Sequence, residues 1–165
     1  MSVSVALTIN PASTVDADIL TRLSFASKGY WGYPEEYFET WKDELTITPA
    51  YILENDVFIA VCSGEIVGYF SIVELENDIS VSGETIKRGY WLEHLFVAPA
   101  HIGQGIGTAL FHHVRKRCRS LNIASLGILA DPHSRGFYEK MSCVYQREIP
   151  STIEKRTTPF FLFTV

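Results

Sequence analysis

The chain reads as an α/β domain on a mixed, mostly antiparallel sheet of six to seven strands, with helices on both faces. Three observations predict this. β-Branched runs of strand length recur along the chain. A Ser63-Gly64 turn joins two of them into a hairpin. The second half then alternates strand, helix, strand, helix. A length of 165 residues suits a single domain over 1–165 with a sizeable core.

Taken in order, residues 3–9 form the first strand, broken at Asn10-Pro11. Ser13 or Thr14 caps a helix with an apolar stripe of Ile19, Leu20, Leu23 and Ala26, ending near Gly29. Pro34 opens a second helix, with Glu35 and Glu36 at its positive end and Tyr37, Phe38, Trp41 and Leu45 on its apolar face. Residues 57–62 and 65–75 are the hairpin strands. Residues 79–81 and 87–97 continue the sheet until Pro99 stops it. Residues 103–121 are a helix entered through a glycine loop, 123–129 a buried strand, and 132–141 a short helix. Residues 143–149 and 160–165 are the closing strands. The apolar last strand is suited to adding to a partner's sheet, which would make a homodimer.

Composition narrows the function classes. A net charge of −5 argues against nonspecific nucleic-acid binding, which rests on Lys and Arg neutralising phosphates. No apolar run approaches the ~18 residues of a membrane span, and residues 1–10 lack the basic start of a secretion signal. Cys62, Cys118 and Cys143 are far apart with no CxxC pair, so no structural zinc is expected, and the odd count fits reduced thiols in the cytoplasm. His112 and His113 are adjacent, point to different helix sides and cannot form an i,i+4 metal pair. With His101 they are expected at the surface.

The sharpest local signal runs from Leu95 to Leu110. A strand leads into Gly103-Gln104-Gly105-Ile106-Gly107-Thr108, and these lead into a helix. Helix N-termini carry unpaired N–H groups and partial positive charge, and glycines let the backbone approach a phosphate, so the pattern suits a pyrophosphate. A P-loop would need a lysine that is missing here. A dinucleotide-binding loop would need glycine where Thr108 stands and an acidic residue about 20 positions on, where Leu121-Asn122-Ile123-Ala124 has none.

The segment resembles the acetyl-CoA-binding motif of the GNAT superfamily of N-acetyltransferases, [R/Q]-x-x-G-x-[G/A]. Gly105 and Gly107 match its glycines, while Ile102 stands where Arg or Gln is usual and Gln104 offers some of the missing polarity. A second stretch is similar to the family pattern N-x-x-A-x-x-F-Y-x-K. Phe137, Tyr138 and Lys140 match, while Asp131 replaces the usual Asn and Ser134 the usual Ala.

The resemblance implies a GNAT-type sheet with a V-shaped splay between parallel central strands, here 91–97 and 123–129. It implies acetyl-CoA as co-substrate, no metal, and Ile102, Gly103, Gln104, Gly105, Ile106, Gly107, Thr108, Asp131, Phe137 and Tyr138 on the cofactor. Phe96 and Val97 would receive the pantetheine arm as an added strand, and an N–H there would stabilise the oxyanion. Tyr138 is the expected acid for the leaving thiolate. Glu93 is the expected base, because its strand alternation puts it among Trp91, Leu95 and Val97, where apolar surroundings suit a carboxylate to work near neutral pH. His94, on the opposite face, is the alternative. Tyr30, Trp31 and Tyr33 are expected to contact the acceptor through apolar packing or cation–π contacts.

The reading is an N-acetyltransferase acting by direct attack of a primary amine, with a small-molecule acceptor favoured. Alternatives are an acetyltransferase for protein N-termini or lysines, and a noncatalytic acyl-CoA-binding sensor.

Overall fold

The computed structural model describes residues 6–81 and 83–165. Seven strands hydrogen-bond in the order β1-β2-β3-β6-β7-β9-β8, and β4 and β5 form a separate two-stranded sheet. The strands are β1 (Leu7–Pro11), β2 (Asp56–Cys62), β3 (Glu65–Leu75), β4 (Ile79–Val81), β5 (Glu84–Ile86), β6 (Gly89–Val97), β7 (Ser125–Leu129), β8 (Val144–Pro150) and β9 (Thr157–Thr164). The helices are α1 (Ala17–Gly29), α2 (Glu35–Leu45), α3 (Pro49–Glu54), α4 (Ile106–Ser120) and α5 (Arg135–Lys140). Pairing is antiparallel at β1/β2, β7/β9 and β8/β9 and parallel at β6/β7. Among the described residues no helix is long and apolar enough to cross a membrane.

The chain forms two compact units. The first takes in the described residues up to Ser71 together with His94–His113. Its core gathers Leu20, Leu23, Ile47, Ile52, Val57, Ile59 and Tyr69. Each such aliphatic side chain contributes about 1.5–3 kcal/mol by leaving water. The α1 stripe is rotated from expectation: Ala17, Leu20, Leu23 and Ser24 are buried, whereas Ile19 and Ala26 are exposed. Ser24 Oγ donates to the Leu20 carbonyl at 2.7 Å and lies 2.6 Å from the Tyr69 hydroxyl, which satisfies a hydroxyl at a position that reads as polar.

β1 runs on through Pro11, opposite Phe58, because an edge strand tolerates a missing N–H. The expected start of this strand at residues 3–5 lies outside the described residues. The hairpin turn is as expected, with Ser63 and Gly64 both at positive φ, 52° and 76°. α3 was not expected. Thr48 caps it by accepting the Tyr51 N–H at 3.1 Å, and Pro49 takes its first turn.

The second unit is Ile72–Glu93 with Val114–Val165. Here residues 79–81 do not continue the main sheet. They pair with β5 from Ile79 opposite Ile86 to Val81 opposite Glu84, so the next sheet strand begins only at Gly89. β9 begins at Thr157, three residues ahead of its expected start. It lies between β7 and β8, so both its edges are used within the chain and the expected pairing with a partner's sheet is not open to it.

Candidate functional site

In the first unit, β6 leaves the sheet at Val97, and a 3₁₀ turn, Pro99–His101, carries the chain to the glycine loop. The Ala98 N–H donates to the Val67 carbonyl at 2.8 Å and pins this exit to β3. Gly103 and Gly105 are left-handed, at φ +84° and +81°. A Cβ at either would meet nothing within 4 Å, so backbone conformation and not crowding demands glycine there.

The helix starts later than expected, at Ile106. Its first bond runs from the Ala109 N–H to the Gly105 carbonyl at 3.0 Å, which makes Gly105 the N-cap. The N–H groups of Ile106, Gly107 and Thr108 therefore have no acceptor inside the helix and face a loop whose residues 102–105 are exposed. Their donors, with the positive end of a 15-residue helix, fit a diphosphate. The Gln104 side chain is turned back, with Oε1 3.1 Å from His101 Nδ1, and Ile102 is 40% exposed.

Gly68 is a contributor that sequence reasoning missed. A Cβ there would lie 2.9 Å from the Phe96 carbonyl oxygen, 3.1 Å from Leu110 and 3.4 Å from Ile106. Glycine thus lets the first turn of α4 and the end of β6 close onto β3. Its signal was a glycine inside a strand-forming run.

His94 is buried within an aromatic shell of Tyr51, Tyr69 and Phe96, with ring centroids 6.2, 6.1 and 5.5 Å away. Burial pushes its imidazole down to about 4. Glu44 opposes that shift and Lys28 adds to it. A base that weak is poorly matched to work near pH 7.

The aromatic loop divides. Tyr30 and Trp31 are 51% and 38% exposed and meet edge-to-face at 4.8 Å. Tyr33 turns inward, 5.1 Å from Trp41, and the ammonium of Lys28 sits 4.5 Å from the Trp41 ring and 5.5 Å from that of Tyr33. The cation–π partner of Tyr33 is therefore the chain's own lysine. His112 is exposed as expected, but His113 is half-buried and packs 4.7 Å from Phe58.

In the second unit, β6 and β7 pair in parallel at Trp91 with Gly127 and Leu92 with Ile128. Glu93 follows directly and is solvent-exposed, so the expected apolar enclosure of its carboxylate is not met: Trp91 is buried while Glu93 is open. Alternation assigns a side chain to a face but not whether that face is covered.

Tyr138 is 6% exposed on α5, 5.1 Å from Phe137 and 6.0 Å from Phe161. Burial above all, then Cys143 and Asp131, raises its phenol above the usual tyrosine range and keeps it protonated. Burial likewise pushes the neighbouring Cys143 thiol up to about 12. Asp131 Oδ1 accepts the His133 N–H at 2.9 Å, capping the turn Pro132–Ser134 that precedes α5, and Oδ2 lies 3.7 Å from Arg156. Arg156 gave no signal in the sequence.

The structure thus brings Phe96, Val97 and the loop 102–108 together in one unit, and Glu93, Asp131, Phe137 and Tyr138 in the other.

Known structures with this fold include a GCN5-related N-acetyltransferase from Rhodopseudomonas palustris, at 17% identity and a TM-score of 0.73 over 100% of this chain and 99% of that one. A PaiA N-acetyltransferase from Thermoplasma acidophilum in complex with coenzyme A aligns at 15% identity and 0.73, over 97% and 99%. A GNAT family acetyltransferase from Brucella melitensis in complex with acetyl-CoA aligns at 16% and 0.61, over 96% and 88%. No curated protein sequence matches the chain. The model of the acetyltransferase (GNAT) family matches residues 23–142, most of the chain. By that match, and by a fold that agrees with it, the chain belongs to the GNAT acetyltransferase family.

Proposed function

We propose that residues 1–165 act as one acetyl-CoA-dependent N-acetyltransferase domain that acetylates a primary amine on a small molecule by direct attack. The observation that carries this is the opening of α4: left-handed Gly103 and Gly105, an open loop, and three N–H groups with no acceptor inside the helix. Acetyl-CoA supplies the activated acetyl thioester. The loop amides of 103–108 hold its pyrophosphate, and the backbone of Phe96 and Val97, beyond the parallel ladder at Trp91 and Leu92, takes its pantetheine arm.

Tyr138 donates its phenol hydrogen to the sulfur as the carbon–sulfur bond breaks. Its burial keeps the proton on the phenol across the working range and at the same time makes it a weaker acid, so it gives that proton up only as charge builds on the leaving sulfur. Glu93, open to solvent, receives the ammonium proton through water. His94, held down at about 4, is left as a packing group. Tyr30 and Trp31 are the exposed aromatics that meet the acceptor, while Tyr33 is turned toward Trp41. Asp131 acts through the turn that it caps.

Calorimetric titration with coenzyme A, followed by thiol release from acetyl-CoA against an amine panel, tests the reading. It requires binding of the cofactor and amine-dependent release of thiol. Binding without release by any amine favours the sensor, and no binding at all rejects both.

A further inference from the structure

Asp131 and Arg156 make a largely buried ion pair that the chemistry above does not use. Their side chains are 10% and 13% exposed, with Arg156 Nη2 3.7 Å from Asp131 Oδ2. Backbone hydrogen bonds hold both ends. Asp131 follows Ala130, whose N–H donates to the Pro159 carbonyl at 2.9 Å. Arg156 closes a tight turn between β8 and β9, where the Ser151 N–H donates to the Arg156 carbonyl at 2.8 Å and the Arg156 N–H to the Ile153 carbonyl at 3.1 Å. Ser151 Oγ accepts the Ile153 N–H at 2.9 Å, and Ile153 is buried.

The other oxygen of Asp131 caps the turn that enters α5. That helix has only six residues and carries Tyr138, so its direction depends on its ends. At the far end the Cys143 N–H donates to the Tyr138 carbonyl at 3.0 Å. At the near end the Asp131 cap fixes it. A carboxylate this buried is costly unless neutralised. Without a cation it would take up a proton or swing toward water, and either weakens the cap.

We infer that Arg156 is a positioning residue for Tyr138: by neutralising Asp131 it allows a buried carboxylate to cap the turn that aims the Tyr138 helix. The Asp131 charge is also felt at the phenol, after burial and Cys143, so neutralising it bears on the hydroxyl as well as on its position. The kinetic arm of the test rests on the acetyl-transfer reading and the stability arm does not.

Four proteins decide it: the wild type, Arg156→Met, Asp131→Asn and the double variant. Asparagine caps as well as aspartate without a charge, so it should make Arg156 dispensable. Assayed well below melting, with folding checked by circular dichroism, Arg156→Met is expected to lower kcat for thiol release about 10- to 100-fold. KM for acetyl-CoA should stay within about twofold, since the loop amides that hold its pyrophosphate are untouched. Arg156→Met should also melt several degrees lower. The double variant should match Asp131→Asn in both kcat and melting temperature. A folded Arg156→Met with wild-type kcat, or a double variant no better than Arg156→Met, overturns the inference. If the wild type releases no thiol with any amine, the acetyl-transfer reading fails. The melting cycle then decides the pair alone, with rescue supporting it and additive losses rejecting it.

Discussion

Trp91 and Gly127 stand opposite each other in the parallel ladder of β6 and β7, and the indole fills the space that a side chain at 127 would need. A Cβ on Gly127 would fall 2.6 Å from two carbons of the ring. The indole has little freedom to retreat, because its N–H donates to the Lys87 carbonyl at 2.9 Å and its face stacks 5.4 Å from Phe160. Gly127→Ala should therefore cost about 1–3 kcal/mol of stability through overpacking. Denaturant unfolding checks this, and an unchanged midpoint would show that the sheet yields.

Tyr138→Phe removes one hydroxyl from a buried ring that stays packed against Phe137 and Phe161. The expected result is a fall in kcat of about 10²- to 10⁴-fold, the range of general acid catalysis. Coenzyme A affinity should hardly move. Steady-state kinetics with calorimetry separates the two quantities, and a variant with wild-type kcat would reduce Tyr138 to packing.

Gly105→Ala strains a left-handed residue at the mouth of α4 by about 1 kcal/mol and tilts the amides that follow. Coenzyme A should bind roughly tenfold more weakly, which 1.4 kcal/mol would account for. The melting temperature without ligand should shift by only a few degrees. Ala at Gly29, the exposed C-terminal residue of α1, serves as the comparison and should leave cofactor affinity intact.

His94 gives the first unit an acid-sensitive core. Its folded value, about 4, lies below the ordinary 6.5, so the unfolded chain binds the proton more readily. The stabilisation is fully present above pH 6.5 and is lost as pH falls from there toward 4, to a total of about 3 kcal/mol. Stability measured from pH 7 to 4 should show that loss. His94→Phe, which keeps a ring among Tyr51, Tyr69 and Phe96, should flatten the profile over that window.

What could be read in advance was whatever chemistry is local to a few consecutive residues. Ser63-Gly64 declared its hairpin because few residues adopt positive φ, and the alternating glycines before α4 declared a loop for the same reason. Tyr138 was legible through its neighbours in sequence. α3 was not, although Thr48 and Pro49 are good starting signals, because six residues are too few to display a helical period. β5 was hidden by its length of three. Glu93 was misjudged because exposure is decided by what other segments cover, and Arg156 gave no signal because its partner lies 25 positions earlier and meets it only through two turns. Lys28 over Trp41 belongs with these, as a contact between two helices that neither helix foretells.

The strand order also has a kinetic side. β9 is made after β7 and β8, yet its place is between them, pairing Phe161 with Ile128 on one side and with Tyr145 on the other. Until it arrives, β7 and β8 each show a bare row of amides and carbonyls, and neither can close on the other. A nascent chain that has reached β8 therefore carries two unpaired borders until β9 follows, and while β8 and β9 can pair locally across their turn, docking β9 on β7 is a long-range pairing and the slower contact to make.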